Sequence, residues 1–202
     1  MEMSPAIITM LNFGIVGTAF LAVAEKFVPV FPSYLLLMFL GMTATDGFNL
    51  VSIVAATVVG STLGSLIWYR LGRTLGFRRV EALVSRYGRF VFLPPALYQR
   101  LIAAYRRNQF WVTLIGHTIP AVRVYIGLPA GVFRLEPWYF TLAALLGCLL
   151  WNAPFLILGF ALHGSGHDPI ALGLAVAVTL ISSEFAVLWI ARRMRRGQDA
   201  GG

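Results

Sequence analysis

The chain has 202 residues, 58% hydrophobic and only 12% charged, with a mean hydropathy of +0.79. A soluble domain carries about 25% charged residues, and any folded surface in water needs polar cover, so a water-soluble globule is excluded. Sixteen Lys and Arg stand against eight Asp and Glu, but the basic residues sit between long apolar runs, as orientation charges at a membrane do, which argues against nucleic acid as a partner. The composition is that of an all-α integral membrane protein.

A bilayer core of about 30 Å needs roughly 20 apolar residues in a helix. The apolar stretch 5–24 is long enough but contains Thr9, Asn12 and Thr18, so it reads as either a spanning or an interfacial helix. No basic stretch precedes it, and a secretory signal is not expected. Residues 48–69, 137–162 and 169–191 read as transmembrane spans. Residues 27–45 contain Pro29 and Pro32, and residues 109–133 contain Pro120, Gly127, Pro129 and Gly131. Proline in a helix interior costs about 3 kcal/mol. Broken backbone at membrane depth is tolerated only where it is buried in protein or lines a cavity. Both stretches are therefore expected to be re-entrant hairpins of paired half-helices, with Pro29, Pro32, Pro120, Pro129 and Gly131 as structural hinges. Residues 77–108 mix Arg with Phe, Leu, Val and Tyr around Pro94-Pro95, the pattern of amphipathic helices lying on an anionic inner surface.

Nine Arg and a single acid, Glu81, lie between Arg70 and Arg107, and four more Arg close the chain. The positive-inside bias makes residues 70–108 and the C-terminus cytoplasmic. The spans 48–69 and 137–162 then run in opposite directions, and the two broken segments enter from opposite sides. An internal echo supports this arrangement. Gly64, Leu66, Trp68, Leu75, Gly76 and Phe77 recur as Gly147, Leu149, Trp151, Leu158, Gly159 and Phe160, every match offset by 83 residues. Opposed copies with discontinuous helices meeting near the midplane are the signature of an inverted-repeat transporter. The whole chain is expected to form one membrane domain.

Ionisable groups inside a membrane are expensive and mark function by default. Arg123, within Gly116-His117-Thr-Ile-Pro120-Ala-Val-Arg123, can grip a phosphate bidentately at any physiological pH; the competing reading is an Arg that pins the carbonyls freed by the break. Glu25 is a candidate proton carrier, or the partner of Arg123 across the repeat interface, or a boundary residue paired with Lys26. His117 is a candidate for a charge that changes near neutrality, or a hydrogen-bonded helix-end residue. Trp68 and Trp151 read as packing anchors or lipid contacts. Cys148 is single and apolar in setting, the three His are scattered, and no nucleotide-binding loop occurs, so neither metal nor cofactor is expected.

Glu25-Lys-Phe-Val-Pro29-Val-Phe-Pro32-Ser33 resembles the acidic, Pro-rich opening of the DedA family. Gly60-x3-Gly64 with Tyr69-x2-Gly72-Arg73-x2-Gly76 resembles its glycine-rich span end. Gly116-x3-Pro120-x2-Arg123, Pro129-Ala130-Gly131, Phe140 and Gly147-x3-Trp151 resemble its second signature. The resemblance covers residues 22–162 and implies a lipid transporter of a bacterial inner membrane with two opposed re-entrant hairpins, related to eukaryotic scramblases. The lipids implied are undecaprenyl phosphate or phospholipids such as phosphatidylethanolamine, and a link to proton movement is implied for some members. Two positions depart from the pattern: Tyr34 stands where members commonly carry a second acid, and His117 where they commonly carry Arg. Tyr34 cannot cycle a proton near neutral pH, which argues against proton coupling through that site.

The expectation is a non-enzymatic lipid translocase whose substrate-binding set is Arg123, His117, Glu25 and Tyr34. Membrane lipids with anionic headgroups are its partners, and homo-oligomerisation is left open. A proton- or cation-coupled exporter of small solutes is the alternative. A scaffold binding anionic lipid through residues 77–108 is a third reading.

Overall fold

The computed structural model describes residues 14–27, 33–87, 103–105, 107–162 and 179. Nearly all belong to one compact unit, 1–160; of a second unit, 161–202, only residues 161, 162 and 179 are described. The expected hinges Pro29 and Pro32, residues 5–13, 88–102 and the 169–191 span apart from Thr179 lie outside the described residues.

Among the described residues the chain is helical, without strands: α1 (Gly14–Ala24), α2 (Ser33–Met42), α3 (Gly47–Tyr87), α4 (Gln109–Thr118), α5 (Pro120–Arg123), α6 (Gly127–Val132) and α7 (Pro137–Leu162). Local chemistry sets the ends. Asp46 precedes α3 and its carboxylate accepts the Asn49 N–H at 2.8 Å; Asn108 does the same for Trp111 ahead of α4. Each satisfies one of the amide donors a helix start leaves over. Pro137 opens α7, where its missing N–H is harmless. Between α4 and α5, Ile119 is extended at φ −101°, ψ 116°, as the residue before a proline is driven to be. The stretch 109–133 is thus cut into three short helices rather than two half-helices. α6 closes with Arg134 in left-handed backbone at φ 52° and a Leu135 N–H to Ala130 C=O bond of 3.1 Å, the Schellman arrangement.

α3 is longer than the 48–69 span. Its apolar part passes Trp68 and continues to Gly76, where φ 72°, ψ 173° interrupts the helix before it resumes through the basic residues to Tyr87. That backbone region is essentially restricted to glycine, so Gly76 separates the apolar span from the amphipathic stretch.

α3 and α7 are each long and apolar enough to cross a bilayer. Their polarity is arranged for lipid. Phe48, Val51, Val59, Leu63 and Ile67 face outward from α3 while Thr57, Ser61, Thr62 and Ser65 are buried. Thr57, Thr62 and Ser65 hydroxyls bond carbonyls of their own helix at 2.7–3.0 Å, which leaves little unpaired polarity in a dry interior.

Small residues bring the backbones together. A Cβ on Gly60 would strike the Ala19 carbonyl of α1, and one on Gly72 or Gly131 would strike carbonyls across the α3–α6 contact. Gly41 and Gly159 meet the Leu156 and Met38 carbonyls where α2 crosses α7, and Gly147 seats Leu114 and His117 of α4. Membrane helices associate through such close packing because lipid supplies no hydrophobic drive. α1 and α6 consequently lie along α3, while α2 and α4 lie along α7.

Candidate functional site

α1 ends in a turn, Glu25–Phe27, held by main-chain bonds from Glu25, Lys26 and Phe27 back to Leu21, Val23 and Ala24. The turn is pinned on α3: the Trp68 indole N–H donates to the Lys26 carbonyl at 3.0 Å, and the Trp68 ring stacks on Phe27 at 5.6 Å. This fixes where Glu25 and Lys26 point. The break at Pro120 performs the matching task on the other side, ending α4 at His117–Thr118 and starting α5, whose last residue is Arg123.

Arg123 and Glu25 meet in the interior, Nη2 of the guanidinium donating to Oε1 of the carboxylate. Their side chains are 2% and 4% exposed, so the pair is screened by almost no water. The guanidinium also lies 5.0 Å above the Trp151 ring of α7, a cation–π contact that gains strength when desolvated. Lys26 is equally buried, with Nζ 3.4 Å from the Arg123 carbonyl oxygen. The reading of Glu25 as a boundary residue paired with Lys26 at the outer surface is corrected: both are buried and the carboxylate bonds Arg123. The physical reason is the Trp68 anchor, which draws the turn against α3.

A polar line runs beside the pair. Asn152 Nδ2 donates to Ser61 Oγ at 3.2 Å; Ser65 Oγ lies 3.1 Å from His117 Nε2; His117 Nδ1 lies 2.8 Å from the Thr113 carbonyl. Thr113 Oγ1 in turn reaches Tyr105, whose hydroxyl donates to the Ile126 carbonyl at 3.0 Å. Since a carbonyl only accepts, His117 carries a proton on Nδ1 and Nε2 faces the Ser65 hydroxyl. Either protonation state of Nε2 is served, because Ser65 can donate to it or accept from it while donating to the Ser61 carbonyl at 3.0 Å.

Glu25 in the turn after α1, His117 on α4, Arg123 on α5 and Trp151 on α7 therefore gather around the α3 face. Tyr34 stands apart on α2, half-buried, its ring 6.2 Å from Phe155, which is 5.1 Å from Trp151. Trp68 flanks the Lys26 turn and makes an edge contact with Tyr125 at 5.8 Å. Pro129 and Gly131 are buried in α6. Sequence reasoning did not place Lys26, Ser61, Ser65, Asn152 or Tyr105 here. For Lys26 a signal existed: it is an ionisable residue between the apolar stretches 5–24 and 27–45, and such groups are expensive inside a membrane.

Among the described residues, five buried polar atoms have no hydrogen-bond partner: Glu25 Oε2, Arg123 Nη1, Tyr125 OH, Trp151 Nε1 and Asn152 Oδ1. Buried polar atoms are nearly always paired, so these five set this part of the interior apart.

A helical bundle with two apolar spans, interrupted short helices and a buried ion pair between them defines a class of membrane protein. Residues 31–161 match the VTT domain, and the chain belongs to the VTT-domain (DedA) family; it is a membrane protein. It is 34% identical over 172 residues to a Lactococcus lactis protein called alkaline phosphatase-like, covering 84% of this chain and 80% of that one. It is 27% identical over 191 residues to undecaprenyl phosphate transporter A of Staphylococcus aureus, covering 91% and 94%. The Bacillus subtilis protein of the same name is 24% identical over 158 residues, covering 78% and 76%. No solved structure matches the chain.

Proposed function

We propose that this protein carries a phosphate-bearing lipid between the leaflets of a bacterial plasma membrane, with undecaprenyl phosphate the first candidate and phosphatidylethanolamine the second. The observation that carries this reading is the buried Arg123, joined to Glu25 by one nitrogen while Nη1 stays unpartnered among the described residues. A phosphate oxygen is the natural acceptor for that nitrogen. The names of the Staphylococcus and Bacillus relatives support the choice of undecaprenyl phosphate. The headgroup meets Arg123 and His117 at the centre while the hydrocarbon chain stays in the bilayer. Glu25 releases the guanidinium as the headgroup arrives, and Tyr34 acts from the next aromatic layer.

The two halves form an inverted repeat. Gly64 packs on the end of α1 and the Lys26 turn, just ahead of the first broken stretch, and Gly147 on the end of α4, within the second. The second arms are exchanged, α2 lying on α7 and α6 on α3. The broken segments are re-entrant, and the basic residues 70–108 and the C-terminus face the cytoplasm. We read the protein as a transporter and not a hydrolase: the Ser65 hydroxyl faces His117, but the other imidazole nitrogen is held by a main-chain carbonyl and not by a carboxylate. The polar line through His117 favours a second reading, a proton- or cation-coupled carrier of small solutes.

The test is leaflet exchange of labelled undecaprenyl phosphate and phosphatidylethanolamine in proteoliposomes, wild type beside Arg123→Ala. Exchange that disappears with Arg123 supports the proposal. Equal exchange by folded Arg123→Ala removes the role of Arg123. Absence of exchange of either lipid by folded wild type moves the reading to the solute carrier.

A further inference from the structure

The buried charges of the centre do not balance. Among the described residues the buried ionic side chains are Glu25, Lys26 and Arg123, one acid against two bases. Glu25 Oε1 is engaged by Arg123, and no carboxylate among the described residues forms an ion pair with Lys26. The Lys26 ammonium has three donors, yet the one hydrogen bond it makes there is the 3.4 Å approach to the Arg123 carbonyl, long for a hydrogen bond, and Glu25, whose charge it also feels, is bonded to Arg123. An uncompensated charge out of water is costly unless something pairs with it.

The ammonium is also held in place. The Lys26 carbonyl is bonded by Trp68, and its side-chain stem runs over Gly64, where a Cβ would collide with Cγ. A flexible lysine seeking water would not need its stem threaded through a glycine notch. The fold spends a tryptophan and a glycine on keeping this cation beside Arg123. In the same interior, Arg123 Nη1, Tyr125 OH and Trp151 Nε1 are buried donors with no acceptor among the described residues, against two buried acceptors with no donor, Glu25 Oε2 and Asn152 Oδ1.

We infer that Lys26 and Arg123 together bind one singly charged phosphate, Lys26 being the second cation of the site and Glu25 neutralising only one of the two. This rests on the lipid-transporter reading and adds to it a specificity-determining residue. It also offers a source for the second positive charge that the resemblance would have assigned to the position of His117. Surplus donors take up the phosphate oxygens, and the net single positive charge is cancelled by a phosphodiester or by a monoester in its singly ionised form. A neutral alcohol of the same chain leaves the surplus charge unpaired.

The test is calorimetric titration of the purified full chain with farnesyl phosphate, farnesol and dihexanoylphosphatidylethanolamine. The variants are Lys26→Met, Lys26→Arg and Arg123→Gln, with the thermal midpoint of each recorded without ligand. Lys26→Met is expected to lose at least tenfold in affinity for the phosphate-bearing probes, to bind farnesol as wild type does, and to melt no lower than wild type, since one of two neighbouring cations is gone. Lys26→Arg is expected to keep the phosphate affinity within about threefold. The inference is overturned if Lys26→Met binds farnesyl phosphate as wild type does, or if Lys26→Arg fails as Lys26→Met does. It is equally overturned if Lys26→Met melts lower and loses farnesol too, the behaviour of a structural peg. Wild type with no preference for farnesyl phosphate over farnesol defeats the transporter reading itself, whereas loss in Arg123→Gln alone spares that reading and removes only Lys26. Which of the two phosphate probes binds tells monoester from diester.

Discussion

Gly64 with Trp68 on α3 and Gly147 with Trp151 on α7 have the same spacing and opposite uses. Trp68 donates to the Lys26 carbonyl and stacks on Phe27; it holds backbone. Trp151 offers its face to the Arg123 guanidinium, and its indole nitrogen has no partner among the described residues; it holds charge. A repeated sequence pattern thus carries the shape of a contact from one copy to the other, but not its chemistry. What differs is the neighbour: a turn with a free carbonyl in one half, a one-turn helix ending in arginine in the other.

The most severe way to break this contrast is to remove the charge that Trp151 faces. Arg123→Gln leaves Glu25 buried without its partner and is expected to cost about 3–5 kcal/mol, read as a fall in thermal midpoint together with lost transport. Adding Glu25→Gln should restore only part of the stability, because Lys26 then stays buried without a counter-charge, and none of the transport. A double variant as unstable as Arg123→Gln would mean that the ion pair is not what holds the centre.

The glycines sharpen the contrast next. A methyl at Gly147 meets the Leu114 carbonyl and the His117 Cβ, whereas one at Gly64 meets chiefly the stem of Lys26. Backbone cannot give way as a flexible side chain can, so Gly147→Ala should cost about 1–3 kcal/mol and Gly64→Ala less. Yields of monodisperse protein and melting midpoints would rank the two, and the reverse order would contradict the packing described.

The tryptophans themselves should differ by less. Trp68→Phe deletes a hydrogen bond worth about 0.5–1.5 kcal/mol and should lower the midpoint accordingly. Trp151→Phe should lower it less and weaken phosphate binding more, because it loses part of a cation–π surface but no such bond. The smallest effect lies outside both copies. Arg134→Gly relieves left-handed backbone at φ 52° and should raise stability by about 0.5 kcal/mol once the greater freedom of unfolded glycine is deducted. No change, or a loss, would show that the arginine side chain repays its strain.

Much of the framework is legible in the sequence. The run from Pro137 to Leu162 emerges as one helix because apolar content and a proline at its first position are local properties. Pro154 stays inside it, where composition outweighs one missing donor. The break at Pro120 follows from the ring of proline and the restriction on Ile119. The full length of α3 was not legible, since a continuous basic helix and a separate surface helix read alike until the Gly76 backbone angles distinguish them. Nor was the division of 109–133 into three helices, where a second interruption at 124–126 follows the one at Ile119.

For the centre, residue types were readable and partners were not. Arg123 and Glu25 stand out because ionisable groups in apolar runs are rare, and their meeting was one of several alternatives 98 positions apart. Lys26 looked like a boundary charge, and Ser61, Ser65 and Asn152 looked like the ordinary polar content of a span. By itself the sequence determined a helical membrane protein, the places where its helices break and the charged groups that must be accounted for, because hydropathy, proline geometry and charge cost act within a few residues. Only the tertiary structure decided that Glu25 pairs with Arg123, that Lys26 is buried beside them and that Trp151 lies beneath. Those facts depend on which glycine lets which backbone approach, and such contacts join residues too far apart in the chain for any local rule to specify.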